Sequence, residues 1–306
     1  MGKSLAELEN KDRVKMKRFC YVGSGTGTKW WCLFTLAFSI FYAAERGFPH
    51  EIWIEVPAKA RMGEPVEVII CFGHLGQVEN EEMLSANLSR LSAHVVGPGG
   101  KRQNLTVSVT SQGYVGRFVP EEEGTFAVGA ILEVGITKVP FHNIPADTRI
   151  LMLATAYVEV GEEAGDFQSP SVGHPVEIVR LTSAEELRPG GTVACRLVKQ
   201  GEPFGGREAS ISLYTSGTFN WHGVELSATH WAIQATPHPQ TGELVLPILV
   251  PGQHFYLLRY VEEKSGTYEG PYDFVTPFSF LKAGASFART LYIVTHTFEV
   301  LPSPSN

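Results

Sequence analysis

A chain of 306 residues is longer than one ordinary β-sandwich and short for three domains, so its length points to two. Hydrophobic residues at 43% against charged residues at 19% exclude a disordered chain, and 31 Gly with 19 Pro indicate many short elements joined by turns. The formal charge of −7 argues against a nucleic-acid partner, because neutralising phosphates needs clustered Lys and Arg.

That charge is uneven. Residues 1–44 hold seven Lys/Arg against three Asp/Glu, a net of +4, and the remainder holds 18 against 29, a net of −11. Lys15, Lys17, Arg18 and Lys29 precede an uncharged run of fifteen residues from Trp30 to Ala44. A run of that length suits the apolar core of a signal peptide, roughly 7–15 residues. It is short of the ~20 that span a bilayer as a stable helix. Residues 1–44 therefore read as a signal peptide, or as an uncleaved anchor that tethers the protein through residues 30–44. The expected location is the periplasm or the cell surface. Ala43-Ala44 marks the cleavage zone, and Met16 offers an alternative start. Beyond this leader only Cys71 and Cys195 remain, both in apolar strand-like runs, so two buried free thiols are expected in preference to a disulfide.

From residue 50 onward the pattern is that of strands. Glu51-Ile52-Trp53-Ile54-Glu55-Val56 alternates with period two and stops at Pro57, and Glu64 to Ile70 does the same after a Met62-Gly63 turn. Residues 79–90 fit either one short helix or an open loop. Leu91–Val96 and Leu105–Val109 flank Gly97-Pro98-Gly99-Gly100, a hairpin turn by composition. Tyr114–Pro120 and Thr125–Val134 bracket the acidic turn Glu121-Glu122-Glu123-Gly124. Leu151–Val160 is apolar at nearly every position and reads as a strand by its Tyr157-Val158-Glu159-Val160 ending, although its Ala content also fits a helix.

Gly161–Gly173 is the best linker. After it come strands at 175–181 and 193–197, and then a Gly-x-Pro-aromatic-x-Gly turn at 201–206. Further strands follow at 241–247, 252–260 and 290–300. Neither half alternates strands with helices of 10–15 residues. The expected fold class is all-β: two consecutive immunoglobulin-like or prealbumin-like sandwiches, at 45–170 and 171–306, behind the N-terminal segment.

No Gly-x-Ser-x-Gly, phosphate-binding glycine loop or Cys-x-x-Cys is present beyond the leader, so an enzyme is not expected. Asn87-Leu-Ser and Asn104-Leu-Thr match the glycosylation sequon, a short pattern common by chance. Ten histidines remain, and two are well placed. His50 opens the first strand and His74 closes the second. If those strands are neighbours, both imidazoles lie at one end of the sandwich, as borderline divalent ions such as Ni, Co, Cu and Zn require. Glu51 and Glu55 are nearby oxygen ligands or ring-orienting groups. The blander reading makes His50 a solvated strand start and His74 a turn residue.

His50-Glu51-Ile52-Trp53-Ile54-Glu55 after an export signal resembles the opening of the NikM-like proteins, a bacterial family described as the periplasmic component of nickel/cobalt transport systems. Met62-Gly63-Glu64-Pro65-Val66 followed by Phe72-Gly73-His74 is similar to that family, as is Gly173-His174-Pro175-Val176-Glu177-Ile178-Val179. The likeness runs from 50 to 300. It implies an exported protein that binds nickel or cobalt, with zinc or copper as alternatives, and serves a membrane metal-transport complex. It adds His174 to His50, His74, Glu51 and Glu55 as candidate ligands. The chain departs from the family where Val56 precedes Pro57, where Pro49 precedes His50, and where Arg259-Tyr260 stands in place of an Arg-His pair. The alternative is a structural or adhesive module that uses Trp221, Trp231, Tyr268 and Tyr272 to hold protein or glycan.

Overall fold

The computed structural model describes residues 50–302, apart from 75–76, 141–142, 162–166, 168, 217, 222–223, 228–230 and 249; of residues 208 and 215–232 only the backbone is described. The leader expected over 1–44 lies outside the described residues, as do His142, His222, His230 and the side chains of Trp221 and Trp231. Among the described residues the chain is almost all β, as its alternating pattern implies, with one short α-helix.

In chain order the main elements are β1 (Glu51–Glu55), β2 (Val66–His74), α1 (Glu81–Leu88), β3 (Leu91–Val96), β4 (Val107–Thr110), β5 (Gly113–Phe118), β6 (Gly124–Thr137) and β7 (Thr148–Val160). They continue with β8 (Val176–Arg180), β9 (Thr192–Lys199), β10 (Ile211–Ser216), β11 (Trp231–Ala235), β12 (Glu243–Pro247), β13 (Gly252–Glu262) and β14 (Arg289–Val300). One outer sheet runs β1-β2-β5-β4, with the two residues Gln77–Val78 added to β2. The other outer sheet centres on β9, flanked by β8 and β12. Between them lies a large sheet in the order β11-β10-β13-β14-β7-β6, with β3 also on β6.

The seam of this central sheet is the parallel pairing of β7 with β14, from Thr148↔Arg289 to Ala156↔Thr297. Strands from before and after residue 170 therefore share one sheet. Its two faces serve two cores. Ile150, Met152, Phe255, Leu257, Leu291 and Ile293 pack towards the β1 sheet. Their neighbours Leu151, Leu153, Tyr256, Leu258, Tyr292 and Val294 pack with Ile178, Val193 and Leu246 of the β9 sheet. Burial on both faces accounts for the apolar character of β7 at almost every position: a strand covered on both sides has no solvent face to place polar residues on.

Several local expectations resolve in instructive ways. Residues 81–88 form the helix, started by Asn80, whose side chain accepts from Met83 N at 2.9 Å. Gly97–Gly100 turns β3 only onto the short strand Arg102–Asn104. The chain then leaves for the β1 sheet as β4. The acidic turn at 121–123 likewise carries the chain from β5 in one sheet to β6 in another. The Gly-x-Pro turn closes β9 onto Glu202–Pro203, and β10 then joins the central sheet. Cys71 and Cys195 are both free and buried, and burial pushes both thiols up.

A histidine pair at one edge of the β1 sheet

β1 and β2 are antiparallel neighbours in a register that sets Glu51 opposite Gly73. The next pair outward is His50 and His74, and their rings stack at 5.3 Å between centroids with 27° between planes. His50 also stacks on Phe72 at 5.0 Å. Beyond His74 the chain returns as Gln77–Val78 along β2, and Glu79 N donates to Phe72 O at 2.9 Å. This return passes so close that a Cβ on Gly73 would lie 2.2 Å from Gln77 O, and Gly73 has φ +152°. The consequence is chemical. Glu79 is brought to His50, with His50 Nε2 and Glu79 Oε1 2.7 Å apart.

The hydrogen bond from His50 holds the Glu79 carboxyl below its ordinary range, and the charges of His50 and His74 add to the effect. His50 is 24% exposed, Glu79 27%, and His74 lies open at the surface. Two imidazoles and a carboxylate thus meet at an accessible sheet edge. Among the described residues no group of three or more His, Cys, Asp and Glu is already disposed around a metal position. In the present arrangement Nε2 of His50 is engaged with Glu79.

The other sequence candidates lie elsewhere. Glu51 is 4% exposed and is held by Arg259 at 2.5 Å. Glu55 sits at the far end of β1 from His50 and accepts from Trp53 Nε1 at 2.9 Å. Five residues of strand span about 16 Å. His174 is buried against His94, with ring centroids 5.7 Å apart. His94 is tied to Val172 O at 2.9 Å and to Arg102 at 3.2 Å, whereas both nitrogens of His174 lack a partner among the described residues. Burial lowers His174 to about 3, and the charges of His94 and Arg102 add to this. His254 and His296 are fully buried in the central sheet. Tyr268 is only 2% exposed and packs with Ile136, Leu281 and Phe287.

Sequence reasoning passed over Glu79. The available signal was His74 and Glu79 spaced around Gly76, a glycine-marked return before the Asn80 cap.

An all-β protein of layered sheets, with an accessible imidazole–carboxylate edge, is the class defined so far. The chain belongs to the family described as a domain of unknown function, DUF4198, which it matches over residues 48–255. No curated protein matches it. Among solved structures, it is similar to a DUF4785 family protein from Legionella pneumophila at 12% identity and a TM-score of 0.24, covering 67% of this chain and 51% of that one. The chain thus spans about half the length of that protein, and the likeness is too slight to bear on fold or function.

Proposed function

We propose that the protein is an exported binder of a divalent transition-metal ion, nickel or cobalt, serving a membrane metal-transport complex. The observation that supports it is the meeting of His50, His74 and Glu79 at one edge of the β1 sheet. Two imidazole nitrogens on one ion, each about 2.0–2.1 Å from it, lie within about 4.2 Å of each other. The ring centroids lie 5.3 Å apart, and rotation of the two side chains is the movement that would bring one nitrogen of each to that separation. His50 and His74 are the nitrogen donors. Glu79 either joins them through a carboxylate oxygen or keeps His50 oriented.

Three ligands at an exposed edge leave coordination positions open, which suits an ion that is handed on and not locked away. Mixed nitrogen and oxygen donors suit borderline ions over magnesium or calcium. The resemblance of 50–55 and 62–74 to NikM-like proteins supports the same reading. Binding requires neutral imidazole, so affinity falls in acid.

The test is calorimetric titration of the purified protein with Ni, Co, Zn and Cu, with Mg as control, repeated on His74→Ala and Glu79→Gln. Micromolar or tighter binding that weakens by about tenfold or more in His74→Ala supports the proposal. Binding no tighter than millimolar, or binding indifferent to both substitutions, overturns it.

A further inference from the structure

β7 has two neighbours on one edge. β14 runs beside it as far as Ala156↔Thr297, and the short strand Lys59–Ala60 takes over at Glu159. Between Thr297 and Lys59 these neighbours part, and a cleft of about 420 Å3 opens there. That volume is within the range of small-molecule pockets, about 300–1,000 Å3. Ile54, Val56, Ile69 and Phe298 give it apolar walls.

Its polar groups are sorted by depth. Glu55 and Glu299 line the outer part, and Glu299 is exposed. A third lining carboxylate, Glu67, is already paired with Arg117 at 2.6 Å. Deep in the cleft are Arg180, 2% exposed, and Thr297, 4% exposed. Arg180 Nη2 donates to Glu159 Oε1 at 3.0 Å, yet Arg180 Nε, Glu159 Oε2 and Thr297 Oγ1 have no partner among the described residues. A buried donor left without an acceptor costs about 1–3 kcal/mol, which is why such groups are rare unless something else satisfies them. Arg180 already has its counter-charge in Glu159, so what the unmet guanidinium N–H and the unmet hydroxyl at the floor lack is an acceptor oxygen each, which a ligand carboxylate supplies. Carboxylates at the mouth call for a cation.

We propose that this cleft binds a small zwitterion of the α-amino-acid class with an apolar side chain. Its carboxylate points to Arg180 and Thr297, its ammonium group to Glu55 and Glu299, and its side chain lies on the apolar walls. The site is at the opposite end of β1 from His50 and is independent of the metal proposal.

The experiment titrates the full-length protein with leucine, with isopentylamine (leucine without its carboxylate) and with 4-methylpentanoate (leucine without its amine). It is repeated on Glu299→Gln, Thr297→Val and His74→Ala. Leucine is expected to bind, each single-charge analogue to bind about tenfold more weakly or worse, and Glu299→Gln and Thr297→Val each to weaken leucine by about fivefold or more. His74→Ala leaves leucine binding unchanged, so failure of the metal site and failure of the cleft are told apart. The proposal is overturned if leucine does not bind at about 10 mM, if either single-charge analogue binds as tightly as leucine, or if both cleft variants bind like the parent.

Discussion

Two pairs of histidines occupy opposite surroundings in this molecule. His50 and His74 stack at a sheet edge, open to solvent and beside a carboxylate. His94 and His174 meet edge to face in the interior, beside Arg102 and with no carboxylate partner among the described residues. Ring separations are nearly the same, 5.3 and 5.7 Å, so proximity does not distinguish them. The difference lies in what each pair can accept. The edge pair has a counter-charge and room for a cation; the interior pair is held neutral by desolvation, and a positive guanidinium faces it.

Acid should separate the pairs most strongly. In the unfolded chain each imidazole titrates near 6.5, whereas in the fold His174 is lowered to about 3 and burial takes His296 well below its ordinary value. Below 6.5 the unfolded state therefore binds more protons than the folded one. The stability these residues confer is complete above that pH and is lost as pH falls towards 3. At pH 5.5 His174 contributes a loss of about 1.4 kcal/mol by linkage, and His296 adds to it. His94 and His254, also lowered by burial, act in the same direction. Glu177, raised by its own burial, opposes them. Urea denaturation at pH 7.5 and 5.5 should show a loss of at least about 1 kcal/mol. A flat profile would mean that the interior rings already accept protons in the fold.

A smaller effect tests the packing of the interior pair. A Cβ on Gly129 would lie 2.9 Å from His94 Cε1 and Val172 Cβ and 3.0 Å from His174 Nε2. Gly129→Ala should cost about 1–3 kcal/mol by overpacking, measured by the same denaturation at pH 7.5. A cost of zero would show that the pair has room to relax. The smallest effect belongs to the edge. His74→Ala removes an exposed side chain and should change stability by no more than about 0.5 kcal/mol. A larger loss would make the edge pair structural and remove the contrast between the two.

The edge pair was legible because strand alternation carries position. Two period-two runs around a Met62-Gly63 turn identify β1 and β2, and their antiparallel pairing puts His50 beside His74. Glu79 was not legible, because its approach depends on how closely Gln77–Val78 returns over Gly73. The interior polar groups left a fainter trace: Glu159 and Arg180 each interrupt an apolar run, and they prove to be an ion pair. Hidden entirely was the sharing of one central sheet. Periodicity reports which face of a strand is buried and says nothing about a partner far along the chain. For β7, buried on both faces, even the period is lost.

The β7–β14 seam joins residues about 140 positions apart in sequence. Such a pairing comes late, since the entropy of closing so long a loop is lost before any ladder bond is gained. Until β14 arrives, β7 presents an open edge of nine residues, Thr148–Ala156, with Leu151 and Leu153 uncovered. An open apolar edge is a template for intermolecular pairing. The first half of this chain is therefore a risk to itself until β14 is made, and the twelve residues of that strand act as the clasp that closes the fold.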